Sequence, residues 1–166
     1  MILSKYSEYV SIGLFKALVR NSVNAIKSPS GADVLFTLPL IIIAFVNNSN
    51  GDIFSRGTDY KLNATTSTIA FTSTPNGNLT AASQTLTGWH MIAVTAGAGT
   101  TTIYNNNVSV ASGASTAAAT TGTSDIYLMQ NNTGNLGSFF FYQRALSSTE
   151  ISQVEGYLNV KWGLGL

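Results

Sequence analysis

The side chains able to do chemistry in this sequence are few. There are seven carboxylates (Glu8, Asp33, Asp52, Asp59, Asp125, Glu150 and Glu155), one histidine (His90) and no cysteine. Cleaving a glycosidic bond takes two carboxyl groups about 5 to 9.5 Å apart. On one strand that means acids two or four residues apart, and no run that reads as a strand holds such a pair. A nucleophile and base relay would need a serine beside His90 and an acid behind its ring. With 19 serines in the chain such a match can be drawn freely and carries no weight. His90 reads as a surface or sheet-face residue. Without cysteine there is neither a disulfide framework nor a thiolate metal site. No catalytic residue is assigned, and the expectation is a protein that is not an enzyme.

Charge is scarce throughout. Only 9% of the 166 residues are charged, against roughly 25% in an ordinary soluble domain. Small neutral polar residues replace them: 20 Thr, 19 Ser and 15 Asn are about a third of the chain. With 45% hydrophobic residues and a net charge of +1, the composition is not that of a disordered chain. The eight basic residues are scattered singly, which excludes the clustered cations of nucleic-acid binding. The longest apolar stretch, Val34 to Val46, is broken by Thr37 and Pro39. It is too short for a bilayer, which needs about 20 residues, and reads as a strand buried on both faces. The start, Met1 to Lys5, lacks the pattern of a cleaved signal peptide, so synthesis in the cytoplasm is expected. The length suits one domain over residues 1–166, with 1–33 as a contact segment.

The elements that must position these residues are mostly strands. From Val34 onward, short apolar or alternating runs are separated by Asn, Gly, Pro and Ser. The runs are Leu35 to Val46, Asp52 to Ser55, Tyr60 to Ala64, Thr68 to Ser73, Asn78 to Ser83 and Trp89 to Ala96. Thr100 to Asn105, Asn107 to Ala111, Asp125 to Met129 and Leu136 to Tyr142 follow. In the run from Trp89, residues Trp89, Met91, Ala93 and Thr95 share one face and His90, Ile92 and Val94 the other. Strands at this spacing without long helices between them indicate a sandwich or barrel. Ser147-Ser148-Thr149-Glu150 is a helix start of capping-box type. Behind it Ile151, Val154, Tyr157, Leu158 and Trp162 form one apolar stripe. A second helical stripe runs through Leu14 to Lys27, and the alternative there is a loop. The small-residue tract Ala111 to Ser124 reads as a loop or as a segment ordered by a neighbouring chain.

These runs resemble a known family in their order. Gly88 to Thr95 is similar to the "GWHHVAVT" strand of laminin-G-like, concanavalin A-like jelly rolls. Thr102 to Asn106 stands where that family has "LYVDG", with Asn105-Asn106-Asn107 replacing its acidic turn. Asp52 to Gly57 resembles "ILSRG", and Tyr9 to Gly13 resembles "DYVSIG". Phe139 to Ser147 resembles "VRIYNRALS", and Tyr157 to Gly163 the "YLAxKWG" ending of bacterial and phage members. The expected fold is therefore all-β: an antiparallel β-sandwich of the concanavalin A-like jelly-roll kind, with a short C-terminal helix and an N-terminal helix. Trp89 and the Phe139 to Tyr142 strand supply core bulk, and Arg144 to Leu146 turns the chain into a helix closing one end.

The resemblance implies two ligand classes. Calcium would take acids at the sandwich rim, where Asp52, Asp59 and Asp125 are the candidates; it needs six to eight oxygens and usually two or more carboxylates. Carbohydrate would take an exposed aromatic with amide neighbours. Tyr104 with Asn105, Asn106 and Asn107 is the leading candidate, beside Tyr60 and Tyr127 with Asn131 and Asn132. Domains of this look recur in phage particles, so the resemblance implies a non-enzymatic virion protein that decorates or cements a capsid. Its partner would be the major capsid protein, its state a homo-oligomer (a trimer) and its place the virion surface, with no cofactor, nucleic acid or membrane. The alternative is a glycan-binding adhesin or tail-fibre recognition module.

Overall fold

In the computed structural model the described residues are 24–26, 40–57, 59–74, 77–97, 99–115, 126–142, 144 and 146–163. They form eleven strands and one helix. The strands are β1 Asn24–Ile26, β2 Leu40–Asn47, β3 Gly51–Arg56, β4 Tyr60–Ala64, β5 Ile69–Ser73 and β6 Gly77–Ala81. After them come β7 Trp89–Ala96, β8 Gly99–Asn105, β9 Val108–Ser115, β10 Ile126–Leu128 and β11 Asn135–Tyr142, and the helix α1 spans Ser148–Trp162. They make two antiparallel sheets, ordered β1-β10-β3-β4-β5-β6 and β11-β2-β7-β8-β9. The expected all-β sandwich is the observed architecture.

Strand β2 explains the layering. Its inward residues Ile42, Ala44 and Val46 meet Ile53, Phe54, Leu62 and Phe71 of the six-stranded sheet in the sandwich core. Its other face, Ile41, Ile43 and Phe45, is equally apolar and also fully buried. So is the corresponding face of β7, where Met91 and Ala93 join Leu146, Ile151 and Leu158 in a second cluster. Thus the five-stranded sheet is covered on both sides, outside by α1. An apolar run without alternation is what a doubly buried strand requires.

The helix starts as its sequence dictates. Ser147 accepts from the Glu150 backbone N–H, Glu150 accepts from that of Ser147, and Gly163 closes the helix in a left-handed conformation with φ 61°. The Arg144 guanidinium grips the Glu150 carboxylate at 2.7 Å. That grip, then the Ser147 amide, hold its pKa down to about 2. Rather than closing one end of the sandwich, α1 lies along the outer sheet face.

Two expectations need correction. Asn24–Ile26, assigned to the end of a helix, is instead a strand pairing with β10; a sheet edge there outweighed a weak helical period. The rest of the N-terminal stripe lies outside the described residues, as do the end of the small-residue tract and Asp125. Of that tract, residues 111–115 belong to β9. The second correction is Trp89, which is 38% exposed. The pairing of its face with Met91 and Ala93 is right, but that face looks toward α1, not into the sandwich.

One buried group opposes the packing. Glu155 shares the inner face of α1 with Ile151 and Leu158 and is only 3% exposed. Neither of its oxygens reaches a hydrogen-bond partner of ordinary geometry among the described residues. Burial pushes its pKa from 4.5 up to about 7, offset only in part by the Asn107 backbone amide. The strands beneath offer no cation: β2, β8, β9 and β11 carry no charged residue and β7 only His90.

A carboxyl whose pKa is raised by folding contributes stability that is full below 4.5 and is lost as pH rises through about 7. Glu155→Gln is therefore expected to stabilise the fold by on the order of 2 to 3 kcal/mol at pH 8 and by little at pH 4.5. Chemical denaturation at the two pH values checks this, and an equal effect at both would defeat it. Trp89→Ala is expected to cost about 1 to 2 kcal/mol, below the roughly 3 to 5 of a fully buried tryptophan. Thermal melts of the variant measure the difference.

Candidate functional site

The residues expected to bind sugar sit at the β8–β9 hairpin, and most of their polar groups serve the turn. Asn106 and Asn107 take the left-handed conformation, at φ 47° and 65°. The Asn106 side-chain oxygen accepts from the Met91 backbone N–H at 2.8 Å. Asn105 donates to Gln84 Oε1 at 3.2 Å, and its oxygen lies 3.0 Å from His90 Nδ1. The other His90 nitrogen lies 3.2 Å from the Thr87 carbonyl. Tyr104 packs against the cluster under α1. Of these four residues the exposed one is Asn107.

Of the calcium candidates, the two among the described residues, Asp52 and Asp59, do not converge. Asp52 binds Lys61 Nζ at 3.0 Å and accepts from Asn63 Nδ2 at 2.8 Å. Asp59 faces Arg56 at 3.7 Å. The two acids stand at opposite ends of the β3–β4 hairpin, about 13 Å apart at the strand rise. Each already has a cationic partner, so the pair does not fit one shared metal ion.

A different grouping emerges where the last turn of α1 meets the sheet. Trp89 stacks on Phe45 with centroids 4.5 Å apart and planes 18° from parallel. Trp162, from α1, lies 6.0 Å from Trp89 at 17° and 5.4 Å from Phe45. Phe45 is fully buried, whereas Trp89 and Trp162 are 38% and 36% exposed and Tyr157, on the solvent side of the helix, 56%. Only glycine fits at residue 137 beneath them: a Cβ there would stand 2.6 Å from Phe45 Cδ1 and 3.1 Å from Trp89 Cζ3. The bulge in β11 at this position brings its backbone against the rings.

Polar groups border the rings. Register places Asn135, Asn47 and Trp89 side by side on three neighbouring strands, so their side chains share one sheet face. The Asn47 side-chain oxygen is buried, with no hydrogen-bond partner among the described residues. Behind this row Asn48 and Asn132 brace the loops: Gly88 N–H donates to Asn48 Oδ1 at 2.9 Å, and Asn132 donates to Ser49 Oγ at 2.7 Å. Further along β11, opposite Phe45, Ser138 Oγ accepts from Trp162 Nε1 at 3.2 Å and from Lys161 Nζ at 3.3 Å. Lys161 lies 5.1 Å from the Trp162 ring and 5.6 Å from that of Tyr157.

The site therefore combines flat apolar surface with amide, hydroxyl and ammonium groups. Partly exposed indoles can stack a flat apolar surface, such as the C–H face of a sugar ring, and flanking amides can fix hydroxyl groups. The sequence reading looked for this combination at the β8–β9 hairpin; the structure also groups such side chains at the end of α1. The sequence reading missed Asn47, Asn135, Ser138 and Lys161, which come together only through strand register and helix docking. Trp162 was placed in the helical stripe, and the doubled Trp-Phe contact had no sequence signal beyond that.

No curated protein matches the chain. Among solved structures it is similar to a candidate carbohydrate-binding protein from Bacteroides ovatus, at 17% identity and a TM-score of 0.67 over 81% of this chain and 44% of that one. It is similar also to the binding domain of Paraclostridial Mosquitocidal Protein 1, with 14% identity, TM-score 0.64 and coverage of 91% and 47%. The binding domain of botulinum neurotoxin DC in complex with SialylT matches at 13% identity and TM-score 0.58, over 72% and 36%. The chain thus spans less than half the length of each, and at these identities what is shared is the fold. Residues 30–152 match the laminin G model of one family, a stretch that contains ten of the eleven strands and the start of α1. With strand pairing, layering and this match in agreement, the chain belongs to the concanavalin A-like lectin/glucanases superfamily.

Proposed function

We propose that this domain is a non-catalytic, glycan-binding module whose contact surface is the Trp89–Trp162 platform. The observation that carries the reading is the row Asn135–Asn47–Trp89 capped by Trp162: partly exposed stacking surface bordered by side-chain amides on one face. Among the described residues, the carboxylates are otherwise engaged. Asp52, Asp59 and Glu150 face cations, and Glu155 is buried under the helix, which speaks against a paired-carboxylate hydrolase. Similarity to a candidate carbohydrate-binding protein and to a toxin binding domain supports the same reading.

A second reading concerns where such a module works. The neutral Thr, Ser and Asn surface suits close assembly without charge repulsion, as expected of a capsid-decorating oligomer bound to the major capsid protein. Quantitative mass spectrometry of purified particles tests it: hundreds of copies per particle support decoration, a few dozen a tail or fibre, and absence removes the virion role.

On a broad glycan array the protein is expected to bind a restricted set of glycans. Trp89→Ala and Trp162→Ala are each expected to weaken that binding at least about tenfold, the scale of losing a buried or stacked aromatic anchor. Tyr104→Ala is expected to leave it within about twofold. Loss at Tyr104 with retention at Trp89 would move the site to the hairpin, and an array without any binding would end the lectin reading.

A further inference from the structure

The distribution of charge around the platform says more about its ligand. Of the cations among the described residues, Arg56 faces Asp59, Lys61 binds Asp52 and Arg144 binds Glu150. Lys161 is the one without an ion pair among the described residues, and it is solvent-exposed. In a chain with 9% charged residues, the unpaired ammonium stands beside the exposed indoles.

Its position is more specific than the helix requires. A cation anywhere in the last turn would complement the helix dipole, worth roughly 0.3 to 1 kcal/mol. Lys161 instead leans to the sheet, donating to Ser138 Oγ with its ammonium held near the Trp162 and Tyr157 rings. Aromatic faces favour a cation electrostatically, and the ammonium has three donors, of which Ser138 takes one. Ser138 accepts from both Lys161 and Trp162, which leaves its own O–H as a donor. One ammonium and one hydroxyl donor therefore border the stacking surface at β11, and Lys161 makes no ion pair with a carboxylate of the described residues.

We propose that the glycan taken by this platform is acidic: a sugar whose ring stacks on Trp89 and Trp162 while its anionic group, a carboxylate or sulfate, pairs with Lys161 and Ser138. The inference rests on the glycan-binding reading and adds the chemical class of the ligand. Neutral sugars can use the rings alone. An anionic one gains a charge-assisted hydrogen bond besides.

The test is calorimetric titration of the full chain with matched acidic and neutral saccharides. Suitable pairs are trigalacturonic acid with its trimethyl ester, 3′-sialyllactose with lactose, and 3′-sulfolactose with lactose. Expected is a preference of about tenfold for the acidic member of at least one pair, the scale of one hydrogen bond to a charged group, weakening as salt is raised. Lys161→Gln should abolish the preference and Lys161→Arg retain most of it, with melting temperatures unchanged. Which pair responds tells carboxylate from sulfate. If acidic and neutral members bind alike, or Lys161→Gln leaves the preference intact, the acidic-ligand proposal falls. If such binding still depends on Trp89, the glycan-binding reading stands. No binding by any of these sugars overturns the proposal, and no binding on the broad array overturns both.

Discussion

Strands β2 and β7 are apolar on both faces, and the remainder of the structure follows from having to bury both. A sandwich covers one face of each sheet; the other can meet water only if its side chains are polar. Ile41, Ile43, Phe45, Met91 and Ala93 are not, so the five-stranded sheet needs an outer cover. Helix α1 supplies it, which is why the capping box at Ser147 and the Arg144–Glu150 pair matter: they fix where the cover begins. Leu158, fully buried beneath it, has the environment in which truncation to Ala typically costs 2 to 5 kcal/mol. Glu155 sits in the same interface as an opposing charge.

The platform is a consequence of how that cover ends. The last turn of α1 reaches Phe45, Trp89 and Ser138 but does not extend over them completely, so the indoles are stacked yet partly wet. Further out, the sheet face turns polar at Asn47 and Asn135. This boundary between covered and uncovered sheet is the place where apolar and hydrogen-bonding groups must adjoin. Exposed rings bordered by polar groups are the usual mark of a contact surface.

Much of the fold was legible because its signals are local. The alternation in Tyr60–Ala64 and Trp89–Ala96, the Asn-rich turn at 105–107 and the capping box each report on a few consecutive residues, and the strands and helix stand where those signals put them. The face assignment of Trp89 was not local. Met91 and Ala93 on one side and Ile92 and Val94 on the other are equally apolar, so alternation alone cannot say which side looks into the sandwich. The presence of α1 over one of them decides it. The site failed to show in the sequence for a related reason: Asn47, Trp89, Ser138 and Trp162 span more than a hundred residues, and only register and docking join them. At the hairpin the opposite holds. Its asparagines were conspicuous because a tight turn needs left-handed backbone, here at Asn106 and Asn107, while hydrogen bonds to Met91, Gln84 and His90 occupy the amides of Asn106 and Asn105.

That contrast bears on which surface can afford to bind. A side chain already held by intramolecular hydrogen bonds must give them up before it can serve a ligand, and a loose one must lose rotamer freedom on binding. Trp89 and Trp162 meet neither difficulty. Each is fixed by its neighbour and by Phe45, Trp162 is further anchored through Nε1 to Ser138, and both keep exposed surface. The glycine at 137 allows this packing without strain, since any Cβ would drive Phe45 and Trp89 apart. Rings that are rigid before a ligand arrives cost little entropy to use, so under the proposed reading even the modest attraction of a stacked sugar ring would show as affinity.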